Sequence, residues 1–195
     1  MISRIDHISI AVKDYDNAAR FFKTLLGAVS GSSAEDSDMQ YRWELMALGD
    51  LSRLELIHPT GPDSFLNNFL KDKPAGVHHI TLQTPDIQGA RNHLEEHHIP
   101  YFGFQEYGDF WKELFIHPRD AFGVLIQVAE FRPDDWLPPT VRFPHNRKWT
   151  AERHDDQIEI AMAHPGGGTA RLTLTPEETE NLARDLMSLA KTEKK

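Results

Sequence analysis

Two histidines and two side-chain oxygens recur at one spacing in this chain. His7 and His79 are 79 − 7 = 72 residues apart, and Glu55 and Gln127 are separated by the same 127 − 55 = 72. Each sits in a strand-like run, and strand parity places all four on the faces opposite the aliphatic ones. If the strands close around a shared cavity, two imidazoles, one carboxylate and one amide oxygen meet there. That donor set suits a divalent transition metal such as Zn, Co, Mn, Ni or Fe. The chain has no Cys, so thiolate ligation and disulfides are excluded.

The elements that must position these residues share the period. The shift that carries His7 onto His79 also carries Asp14 onto Asp86, 86 − 14 = 72, and Leu54–Ile57 onto Ile126–Ala129. One supersecondary unit has been used twice. In residues 2–12, Ile8, Ile10 and Val12 share one face while Ile5, His7, Ser9 and Ala11 share the other. Asp14 is a good helix N-cap, and Tyr15, Ala18, Phe22 and Leu25 follow at helical spacing until Gly27. Gly31 to Asp38 reads as a polar, Ser-rich loop. Met39–Leu48 and Leu51–Ile57 read as strands joined at Gly49-Asp50, and with a short strand near residues 28–30 the unit is β-α-β-β-β.

The fold class is therefore α+β, built from paired βαβββ modules. The first spans residues 1–59, a linker follows over 60–75, and the second spans 76–130. From Phe131 the character changes. Pro133, Pro138, Pro139 and Pro144 suggest an extended arm. Residues 157–163 and 169–174 read as a hairpin through His164-Pro165-Gly166-Gly167-Gly168. Thr175-Pro176-Glu177-Glu178 then opens a helix with Leu182, Leu186 and Leu189 as a narrow apolar stripe. Residues 131–195 thus form a Pro-rich arm and a β-β-α extension, expected to pack on the main body or on a second subunit of a homodimer.

A formal net charge of −9 over 195 residues argues against nonspecific binding of nucleic acid or anionic membrane, both of which need clustered Lys and Arg. No opening leader pattern and no long apolar run is present, which places the expectation at a soluble, cytoplasmic protein.

Four stretches together resemble a known family: Ile5-Asp6-His7-Ile8-Ser9-Ile10-Ala11-Val12, Leu54-Glu55-Leu56-Ile57-His58-Pro59, Gly76-Val77-His78-His79-Ile80, and Phe115-Ile116-His117-Pro118-Arg119-Asp120 running on to Gly123-Val124-Leu125-Ile126-Gln127. They resemble the vicinal oxygen chelate (glyoxalase/bleomycin-resistance) superfamily, and within it the methylmalonyl-CoA epimerases, over residues ~2–130. The resemblance implies a cup-shaped mixed sheet around one divalent metal, with ligand positions at His7, Glu55, His79 and Gln127. It also implies a metal that polarises substrate oxygens while a proton is abstracted beside a carbonyl or thioester.

One position departs from that pattern. Relatives usually carry Glu where this chain has Gln127, and an amide can offer its carbonyl oxygen to a metal but cannot act as a base near neutral pH. On Met39–Leu48, parity is read with Tyr41, Trp43 and Leu45 on the covered face. That leaves Glu44 toward the cavity as the candidate catalytic base, with Glu113 behind it. The expected function is a metal-dependent epimerase, isomerase or lyase with a small-molecule substrate, an acyl-CoA among the options. Alternatives are a non-haem Fe(II) dioxygenase and a non-catalytic small-molecule binding protein. Lys71, Lys73 and Arg119 are available cations without an assigned role.

Overall fold

The alternating run at the N-terminus forms strand β1 (Arg4–Val12), and its repeat forms β5 (Ala75–Gln83). In the computed structural model these two strands lie antiparallel at the centre of an eight-stranded mixed sheet. Residues 2–48, 52–137, 142–144, 146–164 and 168–190 are described. The expected turn at Gly49-Asp50, the Pro138-Pro139 pair and Pro165-Gly166-Gly167 lie outside the described residues. The chain divides into two compact units, Met1–Pro138 and Pro139–Lys195.

In the first unit each module supplies half of the sheet. β1 runs parallel to β4 (Arg53–Pro59), which pairs antiparallel with β3 (Tyr41–Ala47), and β3 with the edge strand β2 (Val29–Asp36). Likewise β5 runs parallel to β8 (Ile126–Glu130), then β7 (Trp111–Ile116) and the edge strand β6 (Phe102–Tyr107) follow antiparallel. Parallel neighbours need a crossover. Here it is the helix after each module's first strand plus the two outer strands. The curled α+β sheet of paired βαβββ modules is as the sequence implies.

The helices fix which face of the sheet is dry. Asp14 accepts a hydrogen bond from Asn17 N to start α1 (Tyr15–Arg20), which widens into a π-turn over Phe21–Leu25 before Gly27 at φ +74° ends it. Its residues pack with Val12, Ala28, Met46 and Leu56. In the second module Asp86 caps onto Gly89 N, and α3 (Ile87–Glu96) buries Ile87 and Ala90 against Leu114 and Val128. The opposite face forms the cup. At ~25 cal/mol per Å² of apolar surface, these clusters supply the main stabilisation of the sheet.

Two segments depart from the sequence reading, on either side of a linker that carries a short helix. The Ser-rich run expected to be a loop is paired to β3 from Val29 to Asp36, because a ladder partner overrides the weak strand propensity of Ser and Gly. The linker helix α2 (Leu66–Phe69) lays Leu66 and Leu70 against Ala11 and Ile57, beside Tyr41 and Trp43. The start of the Pro-rich arm is not extended. Pro133 opens a 3₁₀ turn, Pro133–Trp136, as its fixed φ favours a first helical turn, and Trp136 is buried with Leu45, Ala129 and Phe131. Gly31 allows this packing: a Cβ there would meet the carbonyl oxygens of Leu45 and Trp136, each at 3.1 Å.

The second unit is a three-stranded sheet followed by a helix. Strands β9 (Trp149–His154), β10 (Gln157–Ala163) and β11 (Thr169–Leu174) are ordered β11-β10-β9. The expected hairpin is β10–β11, and β9 is an addition. It is a polar run without clear alternation, held by its register on β10 and a tight turn with Asp155 at φ +51°. Thr175 and Glu178 form the reciprocal capping box of α4 (Pro176–Ala190). Among the described residues no helix is long and apolar enough to cross a membrane.

Candidate metal centre

Register alone brings the four sequence-selected positions onto two neighbouring rows of the sheet. Ser9 of β1 is opposite both Glu55 on β4 and His79 on β5, so those two side chains flank one row. His7 is opposite Thr81, which in turn is opposite Gln127 on β8. The two imidazoles, one from each module, stand with ring centroids 5.8 Å apart.

Glu55 lies between them. Its Oε2 is 3.7 Å from His7 Nε2 and 3.6 Å from His79 Nε2. Both separations exceed a hydrogen bond, and Glu55 Oε2 and His79 Nε2 are buried with no hydrogen-bond partner in the protein. Polar atoms left unpartnered in a buried place are costly unless something joins them. Two ligands each about 2.1 Å from a shared ion can stand up to about 4.2 Å apart, so these spacings fit one divalent cation. Among the described residues His7, Glu55 and His79 form a buried group that could hold such an ion. Burial raises the Glu55 carboxyl and holds the His79 imidazole well below its usual range, which leaves a neutral ring with a free lone pair.

Gln127 adjoins the group through a bridge. Thr81 Oγ1 stands 2.9 Å from His7 Nε2 and donates to Gln127 Oε1, while Gln127 Nε2 donates to Glu113 Oε2 at 2.6 Å. The amide is thereby oriented with its oxygen toward the His7 side.

Two residues that strand alternation hides complete the geometry. β1 and β5 carry register irregularities at Asp6 and at His78, positions 78 − 6 = 72 apart, each directly before a histidine of the group. A bulge turns two successive residues to one side. Asp6 Oδ2 lies 2.7 Å from His7 Nδ1, and His78 Nδ1 lies 2.9 Å from His79 Nδ1. Burial would raise the Asp6 carboxyl, but the His7 hydrogen bond and the Arg53 charge outweigh it and hold the group below the ordinary range. Burial lowers His78 to about 4, so it is neutral and can accept. Each metal-candidate imidazole thus has Nδ1 engaged by the residue before it, the arrangement in which an outer partner sets the tautomer; His79 Nε2 is left without a partner, while His7 Nε2 also contacts Thr81 Oγ1.

Above the group opens a cavity of about 270 Å³. Its walls are aromatic, with Tyr41 and Trp43 from β3, Trp111 from β7 and Trp136 from the 3₁₀ turn. Its carboxylates are Asp36, Glu55 and Glu113. Burial raises Glu113 above its ordinary value, against hydrogen bonds from Trp111 Nε1 at 2.7 Å and from Gln127.

Glu44 is elsewhere, which corrects its reading as the catalytic base. Leu45 is opposite Glu55 across β3 and β4, so Tyr41, Trp43 and Leu45 face the cup and Glu44 faces the helices. There it bonds Tyr15 Oη and pairs with Lys23 Nζ at 2.7 Å. Burial raises its carboxyl, but these partners and Ser30 prevail and hold it below the usual range. A depressed carboxyl adds stability that is present above its unfolded-state value and lost as pH falls through the folded one. Glu44→Gln is therefore expected to cost ~1–3 kcal/mol near neutral pH, to flatten the acid limb of the stability curve, and to leave turnover intact. Chemical denaturation against pH, with activity measured alongside, checks this. A collapse of turnover in the folded variant would return Glu44 to the chemistry.

The sequence profile of the glyoxalase/bleomycin resistance protein/dioxygenase superfamily matches residues 6–115. The ethylmalonyl-CoA/methylmalonyl-CoA epimerase of Cereibacter sphaeroides is 35% identical over 134 residues, 67% of this chain and 99% of that protein. The human mitochondrial methylmalonyl-CoA epimerase is 33% identical over 132 residues, covering 66% of this chain and 74% of the relative. Among solved structures, the Mycobacterium tuberculosis methylmalonyl-CoA epimerase superposes with a TM-score of 0.62 at 26% identity, over 68% of this chain and 90% of that one. With the doubled βαβββ unit, the curled mixed sheet and these matches in hand, the chain belongs to the glyoxalase/bleomycin resistance protein/dioxygenase superfamily.

Proposed function

We propose that the protein is an epimerase-type enzyme that moves a proton at the carbon next to the carbonyl of an acyl-CoA thioester, with a divalent metal ion held by His7, Glu55, His79 and the Gln127 carbonyl oxygen. The reading is supported by the epimerases among its relatives and by a buried donor set with unpartnered atoms. When bound, such an ion supplies Lewis-acid polarisation of the thioester carbonyl, which acidifies the adjacent C–H.

The chain's own residues do the rest. With Glu44 on the far face and Glu55 between the imidazoles, Glu113 is the carboxylate in the cup wall suited to accept the proton. The single observation that carries this is its place in the cavity wall, with Oε2 fixed by Trp111 and Gln127. Its raised value brings it nearer the range in which a carboxylate is an effective base. Inversion needs the proton returned from the other side. Asp36, from the first module, is the carboxyl in the opposite half of the sheet.

Proton exchange tests the proposal. In heavy water, the α-position of a thioester substrate is expected to acquire deuterium, followed by NMR, and Glu113→Gln is expected to slow this by about 10²–10⁴-fold with substrate affinity retained. Exchange undiminished in the folded variant would remove Glu113 from the role. A second reading draws on the same group, because two imidazoles and one carboxylate also suit non-haem Fe(II) and oxygen. Oxygen consumption by the Fe(II)-loaded protein, with no α-exchange, would favour it.

A further inference from the structure

The cup's walls are aromatic and carry no Lys or Arg among the described residues, which bears on the acyl group they could hold. Six rings line the cavity: Tyr41 and Trp43 from the first module, Tyr107, Phe110 and Trp111 from the second, and Trp136 from the 3₁₀ turn beyond the modules. Trp136 ties them together, with its ring centroid 5.8 Å from Trp43, 5.0 Å from Trp111 and 4.5 Å from Phe110. Offset and tilted rings at these separations make favourable pairs, and a flat guest among them makes more.

Charge points the same way. No Lys or Arg is among the described residues that line the cavity, whereas Asp36, Glu55 and Glu113 are. The nearby guanidiniums are engaged elsewhere: Arg42 lies over the Tyr15 ring at 4.4 Å on the helix face, and Arg4 and Arg53 both hold Asp6. Beyond the proposed ion at the floor of the cup, a guest carboxylate would meet two further carboxylates and no side-chain cation along the walls. Glu113 accepts from Trp111 and Gln127, and Asp36 accepts from the backbone N–H groups of Asp38 and Met39.

We propose that the acyl group taken by this cup is uncharged and aromatic, packed against the cavity-facing surfaces of the Trp43, Trp111 and Trp136 rings, in contrast to the carboxylated methylmalonyl group named for the relatives. The proposal rests on the thioester reading above and narrows it. Trp136 is the specificity-determining residue in it, supplied by chain that lies beyond the repeated modules.

The test compares thioesters that share the CoA moiety, so that its contribution cancels. Using the protein as purified with its metal, calorimetric titration is expected to show phenylacetyl-CoA binding about tenfold or more tighter than methylmalonyl-CoA. Trp136→Leu, which stays apolar but smaller, and Phe110→Ala, at a side chain 52% exposed and so of little consequence for folding, are each expected to shrink that margin several-fold. Methylmalonyl-CoA affinity should fall by a smaller factor than phenylacetyl-CoA affinity in both. Equal or tighter binding of methylmalonyl-CoA by the wild type would overturn the proposal, as would equal losses for both thioesters in the variants. So would tighter binding of an acyl-CoA ending in trimethylammonium, which would make the rings a cation cage. Deuterium exchange on the same thioesters separates the two claims. Aryl preference without exchange would sink the proton-transfer reading alone, and exchange confined to methylmalonyl-CoA would sink the aromatic one alone.

Discussion

Alanine at His79 is expected to strip the protein of its divalent ion. Wild-type protein purified without chelators should carry about one ion per chain by elemental analysis. His79→Ala should lose at least 100-fold in affinity, since even an outer partner of a metal-bound histidine is worth 10–100-fold. His7→Ala should behave alike, because the imidazoles occupy corresponding places in the two modules. Stability supplies a readout independent of turnover. An ion at about 100 times its dissociation constant stabilises the folded state by about 2.7 kcal/mol, so chelation should lower the melting midpoint of wild type by about 5–10 °C and leave His79→Ala nearly unmoved. Glu55→Gln adds a change of sign. Without metal it removes a buried carboxylate whose Oε2 has no partner and should be neutral or stabilising, whereas with metal it should destabilise. Metal content equal to wild type in His79→Ala would leave the proposed ion without a site.

The duplication explains why part of this architecture was legible in the sequence. A period of 72 residues places equivalent histidines on β1 and β5, and those strands pair, so two positions distant in sequence become neighbours. Helix caps at Asp14 and Asp86 and the alternation of β1 gave the modules their faces. Where the reading failed, the cause was tertiary. On β3 alternation separates Tyr41, Trp43, Leu45 and Ala47 from Arg42, Glu44 and Met46, but it cannot say which set the helices cover, and here the aromatic set lines the cup. The choice is made by register against β4, with Leu45 opposite Glu55, and by Lys23 and Tyr15, which satisfy Glu44 on the helix side. Trp136 was hidden because prolines around it read as an extended arm, although Pro133 starts a turn that drives the indole into the cup. Asp6 and His78 were hidden because a bulge breaks the very period by which strand faces are assigned. The repeat did contain a signal for them: each directly precedes a repeated histidine.

Asp6 joins positioning to stability, and its replacement is expected to damage both separably. Asp6 Oδ2 holds His7 Nδ1, while Oδ1 accepts from Arg4 and Arg53. Arg53 is 4% exposed, and its Nε and Nη1 have no partner in the protein, so Asp6 is what compensates its charge. Asp6→Ala would strand that guanidinium, and breaking a buried pair from one side costs about 3–5 kcal/mol. The same substitution frees the His7 ring to rotate and change tautomer, which should weaken metal binding by about 10–100-fold. Adding Arg53→Met removes the stranded charge and restores apolar contact with the Phe131 ring, over which the guanidinium carbon now lies at 5.2 Å. The double variant should therefore regain much of the lost stability, measured by urea denaturation of metal-free protein, yet stay as defective in metal affinity as Asp6→Ala. Recovery of metal binding together with stability would mean that Asp6 serves the fold alone and that His7 needs no partner to face the centre.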